Sequence, residues 1–187
     1  MTKIGKLFFA VLCEIWEQKV LICVLTLLTF SYVYFIDMVE PFSMIGVFAV
    51  GILAAKAFDS LVNNNFYDIE SSCGLNSHEY ISVRLFVYVT IQAVIQFFMR
   101  NRAIKGVTVF FAVPITAFVV LMVIIATMLF KSVFLSVALL VPLISVINNH
   151  AKKCTFEQAI IFAIVLCLLS AIEYFAAVSV LNRRTII

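Results

Sequence analysis

The stretch from Val107 to Ile147 carries a single charged residue, Lys131. One membrane-crossing helix needs about 20 predominantly apolar residues, so this stretch is too long for one span. It predicts two helices, 107–130 and 132–147, divided by Lys131. In the whole chain 65% of residues are hydrophobic and 12% are charged, which leaves too little polar surface to cover a soluble globule. The sequence therefore predicts an integral membrane protein.

The other apolar blocks are also of helix-spanning length, whereas the strands of membrane barrels are alternating segments of about ten residues. They predict four further spans, at residues 20–36, 42–62, 83–99 and 156–181. Thr155 and Gln158 have the spacing of a capping box, which indicates that the last helix begins there. We therefore predict one all-α transmembrane domain over residues 1–187, with six transmembrane helices.

An additional helix is predicted before the first span, over residues 1–19. Its apolar residues recur at helical spacing, while most of its charged residues fall on other faces. The apolar set is Ile4, Leu7, Phe8, Val11, Leu12 and Ile15. This pattern favours an amphipathic helix that lies along the membrane surface; the alternative is the start of a long first span. Glu14 and Glu17 argue against a cleaved signal peptide.

The chain is interrupted between the second and third predicted spans by residues 63–82, which we call the polar island. It mixes acidic, amide and hydroxyl side chains with Phe66, Tyr67, Leu75 and Tyr80. This mixture predicts a short amphipathic docking element. Six spans put both termini on one side, and more Lys and Arg residues lie on that side than on the other. The positive-inside rule thus favours cytoplasmic termini and a cytoplasmic island, although two basic clusters, 100–105 and 152–153, oppose it.

Three polar residues are predicted inside spans. Gln92 and Gln96 are four residues apart and share a helix face, which favours interhelical packing or, alternatively, a substrate pathway. Glu173 lies well inside the last span, where an ionised carboxylate costs about 2.5 to 3.5 kcal/mol on insertion scales. It should face other helices or water. Three roles stay open for Glu173: a function in transport or proton handling, a structural hydrogen bond, or a position nearer the membrane interface than the predicted span gives it.

No catalytic, cofactor-binding or metal-binding constellation is found in the sequence. The glycines do not form a phosphate-binding G-x-x-x-x-G-K-[ST] motif, so the chain cannot supply its own P-loop ATPase. His78 and His150 fall in different predicted loops, and the cysteines lack C-x-x-C spacing. The chain is therefore predicted not to be an enzyme.

The layout of a surface helix, six spans and a polar island between the second and third resembles the permease subunits of ABC-2 type transporters. Within this group, the run Phe66-Tyr67-Asp68-Ile69-Glu70 followed by Gly74-Leu75 is similar to the opening of the loop in the heme exporter protein B family of bacterial cytochrome c maturation. The small-residue ending at 176–183 is similar as well. The resemblance implies that the island is a cytoplasmic coupling element that docks on a separate ATPase subunit.

On this interpretation Phe66, Tyr67 and Leu75 enter a groove on the ATPase, and Gly74 belongs to the same partner-binding loop. Asp68, Glu70 and Glu79 orient the contact. The resemblance further implies ATP use through the partner only, heme as a possible substrate, small membrane subunits as partners, and a homodimer or heterodimer in the bacterial inner membrane. Membrane lipid is an expected partner and nucleic acid is not. Two alternatives remain open, namely a membrane assembly or scaffold protein and a small secondary transporter that uses Glu173.

Overall fold

The computed structural model describes residues 3–24, 27, 44–63, 76–99, 107–153 and 155–184, and every element among them is an α-helix. The helices are α1 (Lys3–Glu17), α2 (Met44–Asn63), α3 (Ser77–Met99), α4 (Val107–Phe130), α5 (Val133–Lys153) and α6 (Phe156–Arg184). Residues 19–24 are helical again after a turn at Gln18. The predicted all-α class is therefore confirmed for the part of the chain that the structure describes.

Local chemistry explains where α5 and α6 begin. The chain leaves α4 through Lys131, whose φ of 52° is incompatible with continuing a right-handed helix. The Ser132 hydroxyl then accepts a hydrogen bond from the amide of Leu135 at 3.4 Å, which caps α5. At α6 the amide of Thr155 donates to Gln158 Oε1 at 3.0 Å, and the amide of Gln158 donates to the Thr155 hydroxyl at 3.4 Å. The capping box predicted from the sequence is confirmed.

Helix α4 is the centre of the core. It packs against α2, α3, α5 and α6, and its contact with α6 is the most extensive in the molecule. Val119, Val120 and Ile124 on α4 are fully buried. Gly51 allows α2 to approach closely, because a Cβ added there would lie 2.8 Å from Leu140 Cδ1 on α5. The core is thus formed by apolar side chains of several helices around α4.

Two of the described helices are long and apolar enough to cross a membrane. These segments are Val113–Phe130 in α4 and Glu157–Arg183 in α6. The apolar part of α5, Val133–Ile147, is shorter. Length and composition therefore support membrane association.

Helix boundaries differ from the predicted segments in two places. Helix α3 begins at Ser77, so the last residues of the polar island, 77–82, are helical. Helix α5 continues to Lys153, although residues 148–153 were expected to form a connection. In both cases the backbone remains helical through a polar sequence, since amides and charges can face outward from a helix as readily as from a loop. Most of the first predicted span, 20–36, lies outside the described residues.

Candidate functional site at the start of helix α3

The start of α3 is fixed by a capping arrangement within the polar island. Asn76 precedes the helix, and its Oδ1 accepts a hydrogen bond from the amide of His78 at 3.3 Å. The amide of Asn76 in turn donates to Glu79 Oε2 at 3.2 Å. This reciprocal pattern is a capping box. Glu79, predicted to contact an ATPase, therefore contributes to the helix start.

The other predicted island residues lie outside the described part of the chain. They are Phe66, Tyr67, Asp68, Glu70, Gly74 and Leu75. Their predicted role in binding an ATPase thus remains a prediction. The described residues do show what lies directly beyond them, namely the first two turns of α3 and the groups that hold those turns in place.

Arg84, on the second turn of α3, is completely buried. Its Nη1 and Nη2 atoms donate to the two carboxylate oxygens of Glu14 on α1, and the Nη2 to Oε1 distance is 2.9 Å. This two-pronged geometry is the strongest form of arginine–carboxylate pairing. It also supplies the opposite charge that a buried guanidinium requires. Helix α1 is therefore joined to α3 by an ion pair in which the guanidinium is fully buried and the carboxylate is 26% exposed.

Two aromatic rings lie close to this guanidinium. Arg84 Cζ lies 4.4 Å from the ring centroid of Tyr80 and 5.4 Å from that of Phe58 on α2. The two rings meet edge to face, with centroids 6.2 Å apart. A guanidinium close to an aromatic ring is attracted by the ring's negative face. We call Glu14, Phe58, Tyr80 and Arg84 the arginine cluster; it connects α1, α2 and α3.

A second group of polar contacts connects the start of α3 to α6. The hydroxyl of Tyr174 on α6 lies 2.8 Å from the Ser82 hydroxyl and donates to the backbone carbonyl of His78 at 3.2 Å. The Nδ1 atom of His78 is 3.3 Å from the same hydroxyl. We call His78, Ser82 and Tyr174 the tyrosine cluster. Unlike the arginine cluster, it is exposed.

One further hydrogen bond extends this connection, because the hydroxyl of Ser77 donates to Asn182 Oδ1. Ser77 thus pairs with a residue beyond Tyr174, whereas Ser82 pairs with Tyr174 itself. The two helices therefore run antiparallel here. The first turns of α3 are held by α1 and α2 through the arginine cluster and by α6 through the tyrosine cluster.

Two of the residues predicted inside spans, Gln92 and Glu173, have described side chains, and they lie on different helices in different surroundings. Gln92 is buried where α3 meets α2, and a Cβ added to Gly46 would lie 2.9 Å from its Oε1 and 3.0 Å from its Nε2. Neither amide atom has a hydrogen-bond partner among the described residues. The position of Gln92 fits the interhelical packing expected from the sequence. The side chain of Gln96 lies outside the described part of the chain.

Glu173 is half-buried on α6, one residue before the tyrosine of the tyrosine cluster. Its Oε2 atom is buried and has no hydrogen-bond partner among the described residues. The same holds for the hydroxyl of Ser170, one turn earlier. Glu173 was expected to face either other helices or water. Its partial exposure is compatible with both.

The arginine cluster was not predicted, although one sequence signal points to it. Tyr80, Arg84 and Tyr88 recur every four residues and therefore share one face of α3. All three are fully buried. An arginine between two tyrosines at helical spacing, inside an otherwise apolar segment, is a signal for a buried cation that needs an acidic partner. Which acid it pairs with could not be read from spacing alone.

The contacts in the described part of this region can transmit a displacement of one helix to its neighbours. They include ion pairing, ring stacking and hydrogen bonding between four helices. Among the described residues there is no group of three or more His, Cys, Asp or Glu side chains that could hold a metal ion. No protein-family model, curated protein or solved structure matches the chain. The interpretation of the site therefore depends on its geometry and on the sequence resemblance stated above.

Proposed function

We propose that this chain is the membrane-embedded permease subunit of an ATP-driven exporter of the ABC-2 type. In this proposal the six predicted spans form the transport unit, and both termini and the polar island lie in the cytoplasm. A separate subunit hydrolyses ATP, and two permease units act together as a homodimer or heterodimer. The all-helical fold and the two helices long enough to cross a membrane support the proposal.

The observation that best supports the proposal is the double attachment of the first turns of α3, which form the end of the polar island. The arginine cluster joins the start of α3 to α1 and α2, and the tyrosine cluster joins it to α6. A displacement of the island would therefore move several helices together. A coupling element needs this property, since packed elements transmit displacement as units.

In the proposed mechanism, Phe66, Tyr67 and Leu75 dock on the ATPase while Asp68 and Glu70 meet basic residues of that subunit. Nucleotide-driven closure of the ATPase would then tilt α2 and α3. Because Arg84 holds Glu14, α1 would follow α3. Heme export in cytochrome c maturation is the substrate class that the sequence resemblance favours, with small membrane subunits as further partners.

Co-purification in mild detergent tests the proposal. The wild-type chain should recover a P-loop ATPase, and a variant with residues 66–70 scrambled should lose it. A matched control replaces Arg100, Arg102 and Lys105 by alanine, since the proposed topology places this loop on the opposite face of the membrane. The control should retain the ATPase. Undiminished recovery by the scrambled variant would overturn the proposal, and recovery of a different, non-ATPase partner would favour a scaffold or assembly protein.

One observation favours a second candidate function, a secondary transporter that uses Glu173. Buried oxygen atoms of Glu173 and Ser170 lack hydrogen-bond partners among the described residues, although unpaired buried polar groups are costly. Proteoliposomes containing this chain alone separate the two candidates. Proton-coupled flux without any ATPase, abolished in Glu173→Gln and retained in Glu157→Gln, would support the secondary transporter.

A further inference from the structure

Helix α1 has three chemically different sides. The side toward the other helices contains the buried residues Leu7 and Val11 and the carboxylate of Glu14 that pairs with Arg84. A second side exposes large apolar side chains, namely Phe8, Phe9, Leu12 and Trp16. Lys6 and Glu17 are exposed along the edge between these two sides. The sequence had predicted one apolar face, and the structure divides that face between the core and the exterior.

The exposed apolar side of α1 consists of large side chains that the other described helices leave uncovered. Trp16 is 73% exposed and Phe9 is 60% exposed. Contact of such a surface with water would be unfavourable, because the cost of exposing apolar area grows in proportion to that area. Complete immersion in hydrocarbon would be unfavourable too, because Lys6 and Glu17 would then lose their hydration. The boundary between lipid headgroups and acyl chains satisfies both requirements.

The identity of the residues supports the same boundary. Tryptophan has an apolar body and a polar N–H, and it favours the membrane–water interface. Lys6 and Lys19 are exposed near the two ends of α1 and match the negative charge of a phospholipid surface. Glu14, which would oppose this attraction, is turned inward and neutralised by Arg84.

We propose that α1 binds the phospholipid surface through Phe8, Phe9, Leu12 and Trp16, at the headgroup–acyl boundary. The pair of Glu14 with Arg84 keeps this side turned toward lipid. The surface-lying helix expected from the sequence thereby acquires a defined lipid-binding side and a fixed rotation about its axis. This inference does not depend on the ATPase proposal, since a scaffold or secondary transporter would use the same helix in the same way.

Trp16 is the only tryptophan of the chain, so its fluorescence reports on α1 alone. The full chain would be reconstituted in vesicles of phosphatidylcholine and phosphatidylglycerol, with bromine atoms placed either near the headgroup or near the middle of the acyl chains. We expect strong quenching by the shallow bromines, weaker quenching by the deep ones and little quenching by aqueous acrylamide.

A second variant calibrates the depth scale. Trp16→Phe combined with Leu168→Trp moves the reporter to an exposed position in the middle of α6, where the deep bromines should quench best. Three outcomes for Trp16 would overturn the proposal. They are quenching by acrylamide without quenching by lipid, a deep profile equal to that of the Leu168→Trp reporter, and protection from all three quenchers, which would show that protein covers this side.

The role of the ion pair is tested in the same vesicles with Glu14→Gln, which preserves shape and removes the charge. If the pair fixes the rotation of α1, Trp16 fluorescence anisotropy should fall and its preference for shallow bromines should weaken. Glu157→Gln removes an exposed acid at the start of α6; it is the control and should leave both unchanged. If Glu14→Gln and the wild type had the same anisotropy and the same quenching profile, the pair would have no role in fixing the rotation of α1. The lipid contact itself is tested by the quenching of the wild-type protein.

Discussion

Helix α3 buries two large polar side chains, Arg84 and Gln92, two turns apart, and the protein accommodates them in opposite ways. Arg84 is met by a carboxylate and two aromatic rings that come from α1, α2 and α3 itself. Gln92 lies against Gly46 of α2, and its amide has no hydrogen-bond partner among the described residues. One site is matched by charge and the other by shape.

This difference shows where the fold constrains the sequence most. An unpaired buried charge is far more costly than an unpaired buried amide. An arginine can therefore be buried only where the fold also places an acidic side chain next to it. The amide of Gln92 needs only a small neighbour, which Gly46 provides. The constrained site also includes Tyr80, at the end of the polar island, where the proposed function requires α3 to be attached firmly to other helices.

The largest effect is expected from Glu14→Ala, which removes the charge partner of Arg84. Loss of one member of a buried pair leaves an uncompensated charge and typically costs about 3 to 5 kcal/mol. The measurement is the free energy of unfolding in mixed micelles titrated with sodium dodecyl sulfate. Glu17→Ala, an exposed acid on the same helix, should change it little. Equal values for the two variants would show that Arg84 does not depend on Glu14.

Removing both charges of the Glu14–Arg84 pair at once separates the cost of an unpaired charge from any role of the pair in coupling. Glu14→Leu combined with Arg84→Met should recover most of the stability lost in Glu14→Ala, because apolar residues of similar volume can replace a buried pair. If ATPase-dependent transport stays impaired in this stable double variant, the ion pair serves coupling as well as stability. Full transport activity would limit its role to folding.

Gly46→Ala changes the site where Gly46 and Gln92 fit each other by shape. In Gly46→Ala the new Cβ would lie 2.9 Å from Gln92 Oε1, so the amide must move within a packed contact. Overpacking of this kind typically costs about 1 to 3 kcal/mol. Adding Gln92→Ala should relieve most of the loss, which a double-mutant cycle measures as a coupling energy. Strictly additive effects would contradict the proposed contact.

A smaller effect, of opposite sign, is expected for Gln92→Met. Methionine has a similar length and lacks polar atoms, so replacing an amide without described partners should stabilise the protein by about 1 kcal/mol. Unfolding and transport would be measured in parallel. Higher stability with unchanged transport indicates a packing residue, whereas higher stability with reduced transport indicates the substrate pathway that the sequence left as an alternative.

The sequence predicted those parts of the fold that depend on local chemistry. Long apolar blocks predicted α2, α4 and α6 closely, and Thr155 with Gln158 predicted the start of α6. Asn76 and Glu79 have the same capping spacing, yet the start of α3 was missed because the surrounding island is polar throughout. Local signals were therefore sufficient where they coincided with a change in hydropathy, and insufficient where they did not.

The contacts that define the candidate site could not be predicted in the same way. Arg84 pairs with an acid 70 positions away, and Ser82 meets Tyr174 across 92 positions. Such pairings are set by how the helices pack, which hydropathy does not specify. Helices α4 and α6 illustrate this, since their apolar windows have mean hydropathies of 2.7 and 2.4 but are 61% and 17% buried. Composition indicated that both helices could cross a membrane and could not indicate which one is central.

The smallest effect is expected at the tyrosine cluster, the exposed counterpart of the arginine cluster. Tyr174→Phe removes the hydroxyl that contacts Ser82 and His78. Exposed groups can exchange these hydrogen bonds for water, so the loss should be about 0.5 kcal/mol, at the low end of the usual range. Ser82→Ala should add little to Tyr174→Phe, because both changes remove the same contact. If Tyr174→Phe lowered the free energy of unfolding as much as Glu14→Ala does, both attachments of α3 would contribute equally to stability. The expected difference between the arginine cluster and the exposed tyrosine cluster would then be wrong.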